Sequence, residues 1–139
     1  MSMSIRNQLQ GTITDVTVGE AMATVKVRLA GGQDLTAAIT VDAVNELGLS
    51  VGGAVTALVK STDVALATNY VGGLSIRNRL PGTVTGIATG AAMATVKVSV
   101  DGGELTAAIT AESAAELGLK QDSAVTALIK STEVSLATA

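Results

Sequence analysis

Basic residues are scarce in this chain, yet some of them return beside hydroxyls at matching places. Nine Lys and Arg are spread over 139 residues. Ser4-Ile5-Arg6-Asn7 reappears as Ser75-Ile76-Arg77-Asn78, and Lys60-Ser61-Thr62 as Lys130-Ser131-Thr132. In an extended segment Ser4 and Arg6 lie two apart and share a face. The guanidinium of Arg6 or Arg77 offers a rigid fork of N–H donors that matches a tetrahedral oxyanion, and the serine adds a hydroxyl. Lys60 and Lys130 would add a compact charge, with the Ser61 and Ser131 hydroxyls beside them. The chemistry is then capture of a small, doubly charged oxyanion. A plainer reading stands next to it. An exposed Arg makes surface ion pairs worth under ~1 kcal/mol, and a Lys at the end of an apolar strand snorkels to water.

A third group lies where the apolar period changes from strand to helix. Thr40 and Thr110 read as N-caps, with Ala43 and Ser113 three residues on. First-turn amides lack intrahelical partners and carry partial positive charge, so a helix start attracts anions. Ordinary capping explains a Thr there equally well. Lys26, Arg28 and Lys97 fall on the polar side of an alternating strand and read as a solvated face. Acid–base chemistry has no evident carrier. Asp15 and Glu20 have no counterparts in the second copy, and Asp63 and Glu133 stand alone. There is no nucleophile elbow and no phosphate-gripping P-loop. With Cys and His absent, thiolate and imidazole chemistry is excluded too. The chain reads as a binder, not an enzyme.

The elements that must position these residues come as two copies of one unit. Residues 4–67 and 75–137 align almost without interruption, most positions are identical, and the offset drops by one residue at the Gly31-Gly32 turn. Domain one is placed at 1–68, a joint containing Gly72-Gly73 at 69–74, and domain two at 75–139. Within the first copy, residues 11–18 are rich in Thr, Val and Ile, as strands are. Residues 22–29 alternate apolar and polar, and Gly31-Gly32 turns them into a hairpin with 35–39. Residues 40–47 read as a helix of about two turns closed by Gly48. Residues 54–60 and 64–67 are the closing strands. The fold class is therefore all-β, as two tandem five-stranded Greek-key barrels of the OB type, each with one short helix.

Composition narrows the partners. Twelve acidic residues against nine basic ones give a net charge of −3, and Tyr70 is the single aromatic. Nucleic acid or an acidic membrane calls for a basic face, and single strands call for aromatic platforms; neither partner is expected. Residues 1–10 lack the apolar core of a signal peptide, and no run reaches a membrane span, so a cytoplasmic location is expected. Apolar residues make up 47%, largely Ala and Val, which leaves thin cores and predicts burial through oligomerisation.

The same motifs carry a family resemblance. Ser-x-Arg-Asn-x-Leu-x-Gly-Thr, a hairpin, Ala-x-Ile-Thr, Glu-Leu-Gly-Leu and a strand ending in Lys-x-x-x-Val occur in order, twice. They resemble the molbindins, small molybdate-binding proteins of the Mop type, in the tandem two-domain form, over nearly all of both copies. The resemblance implies OB-like barrels, a homotrimer of two-domain chains (six barrels), and molybdate or tungstate bound between domains. Carried onto this chain, it implies sites of Ser4, Arg6, Lys60 and Ser61 with Thr40 and the amide of Ala43 from a neighbour. The second set is Ser75, Arg77, Lys130 and Ser131 with Thr110 and Ser113. The chain departs from the family at Ala43, where a Ser is frequent and only the backbone N–H remains. It departs again at Met22, Thr24, Met93 and Thr95, where the family commonly has Asn and Glu close to the threefold axis of the assembly. The function implied is storage and homeostasis of the oxyanion. The alternative is a molybdate-sensing module that acts through a partner protein.

Overall fold

The computed structural model describes residues 2–69 and 72–139; Met1 and, within the joint, Tyr70 and Val71 lie outside the described residues. The first half contributes β1 (Asn7–Val18), β2 (Met22–Leu29), β3 (Asp34–Thr40), α1 (Val41–Leu47), β4 (Ala54–Val59) and β5 (Ala65–Ala67). The second contributes β6 (Asn78–Thr89), β7 (Met93–Val100), β8 (Gly103–Thr110), α2 (Ala111–Glu116), β9 (Ala124–Ile129) and β10 (Ser135–Ala137). Two 3₁₀ turns, Ser61–Asp63 and Ser131–Glu133, follow β4 and β9.

Alternation builds the strands. In β2, Ala23, Val25, Val27 and Leu29 are buried while Met22, Thr24, Lys26 and Arg28 face out, and β7 repeats the pattern. The first strand is longer than the sequence reading had it, because it serves two neighbours. Its start pairs with β4 from Asn7 opposite Val59, and its end pairs with β2 through Val18 opposite Ala23. A bulge between Ile13 and Asp15 bends it between these duties, as one between Val84 and Gly86 bends β6. Gly11 sits where the bent strand crosses β2, and a Cβ there would strike the Val27 side chain and the Arg28 carbonyl.

The fifth strand of each half is exchanged, which the sequence reading did not anticipate. One sheet runs β10-β4-β1-β2-β3 and the other β5-β9-β6-β7-β8. β5 pairs with β9 through Ala65 opposite Leu128, and β10 pairs with β4 through Ser135 opposite Leu58. Each sheet curls until the donated strand meets its far edge, β10 against β3 and β5 against β8. Buried Val, Leu, Ile and Ala from both halves form one continuous core.

Two asparagines fasten the exchange. Asn7 is 1% exposed; it donates from Nδ2 to the Thr106 carbonyl (2.9 Å) and accepts the Thr106 N–H at Oδ1 (2.7 Å). Asn78, 2% exposed, makes the same pair of bonds to Thr36, both at 2.8 Å. Each side chain thus satisfies a peptide group of the other half's edge strand, which removes the penalty of burying both. At the centre the hairpin turns also touch. A Cβ on Gly31 would fall on the Asp101 carbonyl, and one on Gly102 on the Gly31 backbone.

Candidate functional site

The four cations stand at corresponding ends of the two sheets. The segments 4–6 and 75–77 enter β1 and β6 with Ser and Arg exposed, Ile half-buried and the following Asn buried. That alternation puts Ser4 with Arg6, and Ser75 with Arg77, on the outer face. Asn7 pairs with Val59, so Arg6 and Lys60 occupy the next step of that register; Arg77 and Lys130 do the same beyond Asn78 and Ile129. Each arginine and lysine thus flanks the last paired residues of its two strands, and none of the four has a carboxylate partner among the described residues.

The serines after these lysines differ from every other hydroxyl among the described residues. Ser61 Oγ and Ser131 Oγ are shielded from water, and neither has a hydrogen-bond partner among the described residues. Gln33 Oε1 is the third such atom, and it has no counterpart in the second copy. A buried hydroxyl without a partner costs about 1–3 kcal/mol. The same orphan at the same place in both halves marks a position built to meet something else.

Strand exchange carries each 3₁₀ turn onto the other half. Ser61–Asp63 packs on β8, and Ser131–Glu133 on β3. A cavity of about 340 Å³ forms there, lined by Thr62 and Asp63 of the first half with Ile76, Ala108, Ile109 and Lys130 of the second. Lys130 and Glu133 share it with Thr62 and Asp63, and it takes in none of the other expected site residues.

The helix starts are real but occupied. Thr40 caps α1, accepting the Ala43 N–H at Oγ1 (3.1 Å), and Thr110 caps α2, accepting the Ser113 N–H (3.0 Å). Thr110 also donates to the Ser113 hydroxyl at 2.8 Å. The preceding amides, of Val41 and Ala111, go to the Ala21 and Ala92 carbonyls. The amide of Ala43, which the sequence offers as a donor, is therefore already paired within the chain. Among the described residues no hydrogen bond joins a helix start to Arg6, Lys60, Arg77 or Lys130, or to Ser61 or Ser131. The solvated face behaves as such: Arg28 donates from Nε to Asp34 at 3.0 Å, and this bond, then the carboxylate charge, raises its pKa.

Sequence reasoning missed the Asn7 and Asn78 clamps and the exchange they fasten. A signal was present for the asparagines. They fall in phase with Ile5 and Leu9, and Ile76 and Leu80, so a polar residue points inward where apolar ones do.

The TOBE domain family matches the chain twice, over residues 3–66 and 74–136. The chain belongs to the TOBE-domain family, as a tandem molbindin. Superposition on the cytoplasmic molybdate-binding protein ModG, solved with molybdate bound, gives a TM-score of 0.97 at 40% identity and covers 100% of both chains. The molybdenum transport protein ModE of Herbaspirillum seropedicae is 36% identical over 139 residues, 99% of this molbindin and 52% of the relative. Molybdenum-pterin-binding protein 2 of Clostridium pasteurianum is 46% identical over 66 residues, 48% of this chain and 97% of the relative. The chain spans about half the length of the curated relatives it matches from end to end. No helix among the described residues is long and apolar enough to cross a membrane.

Proposed function

We propose that this molbindin binds molybdate, and tungstate in the same pockets, and serves to store and buffer the oxyanion without transforming it. The observation that carries the reading is the duplicated orphan: Ser61 Oγ and Ser131 Oγ, buried and unpartnered, each next to a lysine that shares a strand end with an arginine. Two cations match the double charge, and the hydroxyls match oxygens that only accept hydrogen bonds. Likeness to ModG along the whole chain supports the choice of anion.

Each site takes Ser4, Arg6, Lys60 and Ser61, or Ser75, Arg77, Lys130 and Ser131, from one sheet end. The remaining donors, at Thr40 and Ala43 or Thr110 and Ser113, come from a neighbouring barrel. For these the cap rotates, so that the threonine hydroxyl and the residue-43 or residue-113 amide turn from each other to the ligand. The neighbour belongs to a cytoplasmic homotrimer of two-domain chains. Exposed apolar side chains at equivalent places, Met22 (47%) and Met93 (46%), support assembly, since burying them lowers the free energy of association.

Sulfate is also tetrahedral and doubly charged, so preference for the larger anions rests on cavity size. Equilibrium dialysis with molybdate, tungstate and sulfate tests the reading. Saturable uptake of the first two, with sulfate a weak competitor, is the expected result; no saturable uptake of any overturns it.

A further inference from the structure

The repeat is not symmetrical at one position that touches the binding segments. Gln8 in the first copy is replaced by Arg79 in the second, each directly after the asparagine clamp. Both side chains turn back to the segment before the strand. Gln8 donates from Nε2 to the Ile5 carbonyl at 3.0 Å, and Arg79 from Nε to the Ile76 carbonyl at 3.1 Å. Arg79 reaches further, and its Nη2 donates to the Leu74 carbonyl at 2.8 Å. Leu74 and Ile76 flank Ser75, and the Ile76 carbonyl belongs to the peptide that leads into Arg77.

We propose that Arg79 is a positioning residue that makes the second anion site tighter than the first, by holding the Ser75-Ile76-Arg77 backbone in its binding shape before the anion arrives. The proposal rests on the oxyanion reading above. A peptide unit is planar, so fixing the carbonyls on both sides of Ser75 fixes the planes from which Ser75 and Arg77 project. Bonds from a guanidinium are roughly twice as strong as those from a neutral amide. Arg79 is half-buried, whereas Gln8 is exposed and water competes for its single bond.

The hold matters most where the chain is otherwise free. Gly72-Gly73 precede the segment, and Gly73 has φ of +67°, a conformation open to many alternatives in glycine. Ser75, Arg77 and Arg79 line one open concavity of about 700 Å³ beside that pair. A segment ordered beforehand loses less entropy on binding than one ordered by its ligand. In the first copy, the counterpart of these two bonds among the described residues is that from Gln8 to the Ile5 carbonyl.

The test isolates one site at a time and uses molybdate as the probe. In an Arg6→Ala background, where binding reports the second site, Arg79→Gln is expected to weaken molybdate about tenfold in calorimetry. In the ligand-free state it is expected to speed hydrogen exchange at the amides of residues 74–77. The reciprocal Gln8→Arg in an Arg77→Ala background is expected to tighten the first site by a similar factor, and this arm serves if Arg79→Gln does not fold. Unchanged affinity in both arms overturns the proposal. Weaker binding with unchanged exchange also overturns it, because Arg79 then acts through its charge and not through the backbone. Absence of molybdate binding in the wild type removes the oxyanion reading itself, and that is read in the wild-type titration alone.

Discussion

At the scale of single residues, the two buried serines make predictions of opposite sign for stability and for binding. Ser61 and Ser131 bury hydroxyls with no partner, so replacing both by alanine removes a penalty. The Ser61→Ala/Ser131→Ala protein is expected to melt at or slightly above the wild-type temperature without ligand, and to bind molybdate at least tenfold more weakly, losing about 1.4 kcal/mol or more per site. Thermal melts with and without molybdate check both signs together. Asn7 differs in kind. It is buried and doubly bonded to Thr106, so Asn7→Ala strands a donor and an acceptor and is expected to cost about 2–4 kcal/mol in a denaturant titration. At this scale the sequence was legible where residue type and spacing alone speak. The Ser-x-Arg and Lys-Ser pairs were visible, because alternation puts Ser4 and Arg6 on one face and a polar residue ends an apolar strand. The clamps were not: an asparagine between apolar neighbours does not reveal which distant peptide it will meet.

At the scale of elements, local periodicity predicted what local forces decide. The β2–β3 hairpin, the α1 helix with its Thr40 cap and Gly48 terminus, and the alternation of buried residues all follow from neighbours in sequence. The exchange of β5 and β10 does not. Residues 65–67 and 135–137 are equally suited to either sheet, since they differ only in Ala65 against Ser135. The exchanged arrangement is the one in which each 3₁₀ turn packs on the other half and each asparagine bonds across the interface. The consequence is that neither half completes its own sheet. Removing residues 135–139 leaves β4 with an unpaired edge, and such an edge recruits other strands. The truncated protein is expected to lose thermal stability and to associate at raised concentration; light scattering of the truncated and full chains checks this. A truncated chain as stable and as dispersed as the full one would show that β10 contributes little.

At the scale of the whole molecule, an acidic chain carries the four cations of the proposed sites at two equivalent sheet ends. The net charge of −3 is a property of the whole chain, whereas Arg6 and Lys60, and Arg77 and Lys130, flank the last paired residues of β1 with β4 and of β6 with β9. The helix starts are the part of the candidate site least complete in one chain, because their first-turn amides are already capped. In the proposed trimer these donors come from a neighbouring barrel, once its cap has opened to the ligand. Multi-angle light scattering is expected to give three times the 13.7 kDa chain mass; a monomer at micromolar concentration would contradict the shared-site geometry. The central claim is that the arginines and their lysine and serine neighbours grip the oxyanion. Calorimetric titration of molybdate into the wild type and into Arg6→Ala/Arg77→Ala, both verified as folded, tests it most directly. The account predicts saturable binding in the first and at least a hundredfold loss in the second, about 2.7 kcal/mol or more. Equal affinity in the two proteins would contradict it.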